Sequence, residues 1–268
     1  MIARLARLVP TPLVRLAARA MDRAPALRPG LERLASAIAA GEGTIQRGVG
    51  RGLRFRGDVA VAGYRLGTTE PEFQRALAQR VRPGHVVYDL GANVGFYTVL
   101  CARLAGPAGR VVAVEPFPAS AEAVRFNARL NGFETVDVVE AAIGEAPGRA
   151  WLDTGHGDPV TYRLAADRSG PGVEVATTSV DALVAAGHPP PNVVKVDVEG
   201  AEVAALLGMA RTLAEHRPAV LVEVHHAVAD LPDALAQTTD PLGYRSTVLG
   251  GGPVPSGGAR AHVLLDPL

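Results

Sequence analysis

This 268-residue chain is poor in the side chains that staple or label a fold: it has one cysteine, one tryptophan and an aromatic content of 4%. The lone Cys101 excludes an internal disulfide and favours a reducing, cytoplasmic setting. Its place, in a helix after a glycine loop, suits a small apolar packing residue. No segment approaches the ~18 consecutive apolar residues of a membrane span. The N-terminus lacks an uninterrupted apolar core ahead of a cleavage site, so no signal peptide is expected. Lysine is almost absent. Of 27 basic residues only Lys195 is not arginine. Where arginine is the default cation, a single lysine points to a site that wants a compact ammonium rather than a planar fork.

Formal charge is zero but unevenly spread. Residues 1–56 carry eleven arginines against three acids, and the remainder carries sixteen basic residues against twenty-four acids. An acidic body argues against general nucleic-acid binding, which leans on clustered phosphate contacts. Residues 1–41 alternate Arg with Leu, Val and Ala, and Pro10, Pro12, Pro25 and Pro29 cut the stretch into short helices. These basic amphipathic helices are expected to pack on their own domain; contact with a membrane surface or a partner, or self-association, is the alternative. With 48% apolar and 20% charged residues the chain reads as globular rather than disordered. The expected division is an extension of helices and short strands over 1–67, followed by a core domain over 68–268.

The core is organised around VVYDLGANVGFYTVL, residues 86–100. A buried strand runs into a turn carrying Gly91, Asn93 and Gly95, and a helix starts near Phe96. Such a turn lets backbone pass close to a ligand while the helix N-terminus points at it. Strands are expected at 86–89, 111–115, 136–139, 193–197 and 219–224, and helices at 68–84, 96–104, 119–130, 201–216 and 231–239. Near-continuous valine, as in VVAV and VVKV, marks strands buried on both faces, hence an α/β fold with a parallel sheet covered by helices. Residues 42–67, with Leu53, Phe55, Val59 and Val61, suggest one or two short strands ahead of the core. Residues 148–178 read as a hairpin-type β insertion, and 244–249 with 260–265 as two antiparallel strands at the sheet edge.

Three groups carry chemistry. The first departs from the dinucleotide pattern: Asp89-Leu-Gly91-Ala-Asn93-Val-Gly95 puts an acid before the first glycine. A carboxylate there repels a pyrophosphate but can accept a hydrogen bond from a ligand ammonium. Glu115, twenty residues after Gly95, stands where nucleotide-binding α/β folds hold ribose hydroxyls. S-adenosylmethionine has an ammonium, a ribose and no phosphate, which favours a methyl donor over a nicotinamide. The second group is VVKVDVEGAE, 193–202. Lys195 and Asp197 share a strand face, and Glu199 and Gly200 form the turn into a helix. Three acids and a lysine at the carboxyl end of a parallel strand stand where open α/β sheets place their ligands, with the helix dipole as the alternative reason for Glu202 in the first helical turn. The third is PAVLVEVHH, 218–226, where Glu223 and His225 alternate and His226 faces away. Histidine titrates near neutrality and is the usual proton acceptor.

In order, these motifs (D-x-G-A-N-x-G-F-Y-T, V-E-P at 114–116, L-N at 130–131, K-V-D-V-E-G-A-E, and R-P with V-E-V-H) resemble the FkbM family of S-adenosylmethionine-dependent methyltransferases. The resemblance covers roughly residues 63–226, including Gly67 and Glu70-Pro71. It implies a class I methyltransferase (Rossmann-like) seven-stranded sheet with its last strand antiparallel, and O-methylation of sugar, polyketide or other natural-product hydroxyls. It also implies Asp89, Gly91, Asn93 and Gly95 around the methionine part, and Glu115 on the ribose with Pro116 in its motif. Ala141 and Ala142 would lie near the adenine, with Glu70 ahead of the core. Residues 1–50 and 155–172 match no part of the pattern, and acceptor choice is expected there.

The expected reaction is in-line methyl transfer, leaving S-adenosylhomocysteine, with Asp197, Glu199 or His225 taking the acceptor proton. Lys195 would hold Asp197 ionised or steady developing alkoxide charge. Glu223 belongs to the same group. A metal is not expected, although Asp197, Glu199, Glu223 and His225 make an oxygen-rich Mg²⁺ site conceivable. The rivals are a nicotinamide oxidoreductase and a scaffold protein that binds the donor without chemistry. Base methylation of nucleic acid is not expected, since the Asn/Asp-Pro-Pro-aromatic motif and a basic body are both missing.

Overall fold

Five valine-rich segments lie side by side in one sheet, and those in its interior are buried on both faces. The computed structural model describes residues 41–57, 62–155, 162–165, 168, 170–225, 230–255 and 260–268. The basic helices expected within 1–40, Val59 and Val61, and His226 lie outside the described residues. Two compact units are present, Met1–Gln74 and Arg75–Leu268.

The first unit contains β1 (Glu42–Thr44) and β2 (Arg54–Arg56), an antiparallel pair, and the short helix α1 (Ala62–Leu66). Helix α2 (Pro71–Arg80) begins here, with Pro71 at its start and Glu72 in its first turn, as helix ends favour.

The second unit holds a seven-stranded sheet. Its strands are β3 (Val86–Leu90), β4 (Arg110–Val114), β5 (Val136–Val139), β10 (Val193–Val196), β11 (Ala219–Val224), β12 (Tyr244–Val248) and β13 (Ala261–Pro267), in the order β12-β13-β11-β10-β3-β4-β5. All pairs are parallel except those of β13, which runs antiparallel to both β11 and β12. This is the class I methyltransferase sheet the motif order implied, last strand included. The chain leaves β3 toward β4 on one side and returns to β10 on the other. The gap between the carboxyl ends of β3 and β10 is therefore the switch point at which open α/β sheets take their ligands.

Helices cover both faces. Helix α3 (Phe96–Ala105) packs on β3 and β4 and against α4 (Pro118–Leu130). On the opposite face the main core joins Tyr88, Val112, Val194 and Val222 of the sheet to residues of α5 (Val180–Ala185), α6 (Glu202–Leu207), α7 (Ala210–His216) and α8 (Leu231–Thr238).

A second sheet, order β6-β9-β7-β8, is built from β6 (Ala142–Ile143), β7 (Gly148–Asp153), β8 (Arg163–Ala165) and β9 (Gly172–Thr178). Its β7–β9 pair is the hairpin read at 148–178.

The helix expected over 201–216 is two helices, broken at Gly208–Met209. A Cβ on Gly208 would lie 2.3 Å from the Gly144 carbonyl oxygen, so the close approach of these segments at the break requires glycine. Asp181 of α5 then caps the restart, taking the Arg211 and Thr212 N–H groups at 3.0 and 2.8 Å.

Candidate active site

The turn after β3 is fixed by sterics and by backbone hydrogen bonds. Gly91 has φ 72°, and a Cβ there would lie 1.8 Å from the Asp197 carbonyl oxygen. Only glycine permits that approach. The Gly91 and Ala92 N–H groups both donate to Val114 O, at 2.9 and 3.0 Å, which ties the turn to β4. Asn93 is also left-handed, with φ 50°, and its N–H donates to Glu115 Oε2 at 2.8 Å. The Phe117 N–H donates to Glu115 Oε1 at 2.9 Å. Glu115 thus lies one residue past β4 and pins the loop from below. Burial pushes its carboxyl up to about 7, although the two backbone N–H donors pull the other way. Gly95 is the residue ahead of α3, Pro116 is half-buried, and Ala141 and Ala142 are buried where β5 gives way to β6.

Lys195 stands opposite Asp89 in the β3–β10 ladder. The two side chains are 2% and 0% exposed, and Nζ lies 3.0 Å from Asp89 Oδ1. The same ammonium lies 3.3 Å from Asp197 Oδ2 and donates to Gly91 O at 2.8 Å and Leu90 O at 3.3 Å. It sits 5.5 Å from the centre of the Tyr97 ring. Thr98 completes the arrangement, its hydroxyl donating to Asp89 Oδ2 at 2.6 Å. The sequence reading turned Asp89 toward a ligand ammonium. In the structure Asp89 lies inside the ladder, beside Lys195 and Thr98.

Past the ends of β10 and β11, Asp197, Glu199, Glu202, Glu223 and His225 converge. Alternation along β11 sets Glu223 and His225 on one side, as it does Lys195 and Asp197 along β10. His225 Nδ1 is 2.7 Å from Glu202 Oε1. Its Nε2 is 3.4 Å from Glu199 Oε1, 3.6 Å from Asp197 Oδ1 and 3.7 Å from Glu223 Oε1. Glu199 has φ 47°, unusual outside glycine, and strain of this kind collects at functional sites. Arg260 lies 4.0 Å from both Glu199 and Glu223, and His262 Nε2 lies 3.9 Å from Glu223 Oε2.

These charges set one another's protonation. Burial by itself pushes His225 down, but the Glu202 hydrogen bond and the charges of Asp197, Glu199 and Glu223 outweigh it and hold the imidazole above its ordinary value. Burial raises Asp197 and Glu199, against the pull of Lys195 on the first and His225 on the second. Glu223 is also buried, yet His262, His225 and Arg260 hold its carboxyl below the usual range. The group can pass a proton between an imidazole and several carboxylates. Donor atoms of Asp197, Glu223 and His225 lie within 4.8 Å of one another, a spacing that also suits a cation.

Lys195, Asp197, Glu199, Glu223 and His225 therefore gather as one group, with Gly91 against Asp197 and Glu115 on the far side of the loop. Glu70 belongs to the first unit, with φ 42° just ahead of α2. The sequence reading counted Glu202 among the acids at the end of the strand but named no partner for it; that partner, His225, is 23 residues away. It missed Thr98, Arg260 and His262 as well. For Glu202 the available signal was the run of acids at 197, 199 and 202; for Arg260 and His262 it was their alternation into an expected strand.

Residues 89–246 match the family described as the methyltransferase FkbM domain, a span that opens on Asp89 and includes the loop, Glu115 and both site strands. The hexuronic acid methyltransferase AglP of Haloferax volcanii is 31% identical over 175 residues, which are 59% of this chain and 64% of that protein. The chain thus spans less than two thirds of that relative's length. A protein-L-isoaspartate O-methyltransferase of Aeropyrum pernix is 42% identical over 64 residues, 24% of each chain. The crystal structure of methyltransferase FkbM from Methylobacillus flagellatus KT aligns with a TM-score of 0.48 at 17% identity, covering 73% of this chain and 58% of that one. More than half of its residues fall within the family match, and the chain belongs to the methyltransferase FkbM domain family.

Proposed function

We propose that this chain is an S-adenosylmethionine-dependent O-methyltransferase that acts on a hydroxyl of a sugar or related natural product and leaves S-adenosylhomocysteine. The observation that carries the reading is the position of Lys195. Its ammonium lies between Asp89 under the glycine loop and Asp197 in the acid–histidine group, joining the two at the ends of adjacent parallel strands. A donor site and a proton-accepting site share that crevice.

The donor set suits this cofactor. Carboxylates flank the loop and Lys195 is committed to them, so a pyrophosphate would be repelled. A ligand with ribose hydroxyls would find an acceptor in the Glu115 carboxylate beside the loop. Gly91, Asn93 and Gly95 would hold the methionine end, Glu115 and Pro116 the ribose side, and Ala141 and Ala142 the adenine side. Asp89 would act indirectly, by holding Lys195. When bound, the cofactor supplies an electrophilic methyl group on a sulfonium.

The protein's task is to align the acceptor oxygen and to take its proton. His225 is the best placed base, because Glu202 engages Nδ1 and leaves Nε2 on the side of Asp197 and Glu199, each a quarter exposed. Those two acids and Glu223 would orient acceptor hydroxyls, and Lys195 would keep Asp197 ionised. The sugar assignment draws support from the relative named for hexuronic acid. We read the acid–histidine group as handling a proton without a metal. Methyl transfer from labelled donor to a panel of glycosides, uronic acid glycosides included, tests the reading. Hydride transfer with a nicotinamide, or donor binding with no transfer to any hydroxyl, would replace it with one of the two rivals.

A further inference from the structure

Glu202 has a position that the helix dipole does not explain. It opens α6 but is fully buried, where a carboxylate serving only the dipole would sit in water at no cost. Its Oε1 takes the His225 Nδ1 contact at 2.7 Å and accepts the Gly200 N–H at 3.2 Å. Its Oε2 finds no hydrogen-bond partner among the described residues. Such burial is unfavourable unless the His225 contact is what the position provides.

We propose that Glu202 is a positioning residue that fixes His225 with its proton on Nδ1, so that the Nε2 lone pair faces the acceptor hydroxyl. The inference rests on the reading of His225 as the base. In the step it serves, the acceptor O–H bond breaks toward Nε2 and the oxygen forms its bond to the methyl carbon. The carbon–sulfur bond breaks with its electron pair left on sulfur. The imidazolium so formed is stabilised by Glu202 and returns its proton to water. The arrangement follows the logic of a carboxylate behind a catalytic histidine: the acid holds the tautomer and does not itself take the proton.

The other charged groups around the ring do not duplicate this role. Asp197 and Glu199, in the turn after β10, and Glu223, on β11, all meet Nε2 rather than Nδ1. Arg260 and His262 approach the acids rather than the ring. Lys195 is held at Asp89, Asp197 and the loop carbonyls. Among the described contacts of His225, Glu202 alone addresses Nδ1.

The test is imidazole ¹⁵N NMR on the full chain saturated with S-adenosylhomocysteine, with the His225 signals assigned by their loss in His225→Asn. The wild type should show neutral His225 protonated on Nδ1. Glu202→Gln should shift the ring toward the Nε2–H tautomer and lower the pH at which it titrates. It should also cut kcat with a methyl glucuronoside by roughly 10²–10⁴-fold at unchanged donor affinity. Glu202→Asp, which keeps the charge, should restore part of both readouts and substitutes for Gln if that variant fails to fold. Unmoved ¹⁵N signals and kcat within twofold in either soluble variant would overturn the role of Glu202. Near-wild-type kcat in His225→Asn would instead overturn the reading of His225 as the base.

Discussion

Lys195 Nζ stands 3.0 Å from Asp89 Oδ1 and 2.8 Å from Gly91 O, so the chain's one lysine binds the glycine loop to the strand that carries the acid group. An arginine fork would not fit a site that an ammonium fills with contacts on several sides. Lys195→Met should strand Asp89 as a buried, uncompensated charge and destabilise the fold by about 3–5 kcal/mol. Chemical denaturation should show that loss, and calorimetry should show weakened donor binding. The double variant with Asp89→Asn should recover part of the stability. An unchanged denaturation midpoint in Lys195→Met would rule out this structural role.

Gly91→Ala should abolish donor binding, because the added Cβ would meet the Asp197 carbonyl at 1.8 Å and the φ of 72° resists a side chain. Circular dichroism and a titration with S-adenosylhomocysteine separate misfolding from loss of the loop. Retained affinity in a folded variant would contradict the loop geometry.

Glu115 gives a pH dependence with a definite sign. Its carboxyl is raised to about 7 by burial in the free protein, and accepting hydrogen bonds from ribose hydroxyls favours the ionised form. Donor affinity should therefore rise as pH increases, by roughly tenfold between pH 6 and 8, and level off above that. Folding shows the opposite trend. A carboxyl whose folded value is raised binds its proton more tightly when folded, so its contribution to stability falls as pH rises from about 4.5 toward 7. Calorimetric Kd values across this range check the first statement. A Kd flat with pH, or the same slope in Glu115→Gln, would remove Glu115 from the ribose.

His225→Gln should leave the donor Kd within about twofold and lower kcat by roughly 10²–10⁴-fold, the usual share of a general base. Steady-state kinetics with a separate donor titration check both. An equal loss in binding and turnover would mean that His225 supports the loop rather than the acceptor.

Chelation separates the two uses of the acid–histidine group. Activity should survive prolonged dialysis against EDTA and should not rise with added Mg²⁺. A loss restored by a divalent cation would convert Asp197, Glu223 and His225 from a proton-handling set to a metal site.

Much of the fold was legible because periodicity reports burial. The near-continuous valine of β4 and β10 placed them in the sheet interior, and the tail pattern found β12 and β13. The break at Gly208 was not legible, since a lone glycine is tolerated within a helix and the Gly144 carbonyl packed against this one lies 64 residues away. The site shows the same division. Lys195, Asp197, Glu223 and His225 stood out through composition and alternation along strands. The ladder pairing of Lys195 with Asp89 did not, because register between strands is set by packing. Glu202 was legible as one of the acids at the end of the strand, but its specific bond to His225 was not, because helix starts favour acids in general.

The central claim is that the loop of Gly91–Gly95 receives S-adenosylmethionine. A calorimetric titration of the full chain with S-adenosylmethionine, run beside NADH, tests it most directly. The account predicts one-to-one binding of the methyl donor with a micromolar Kd and no heat of binding from NADH. Saturable binding of NADH with none of S-adenosylmethionine would contradict it.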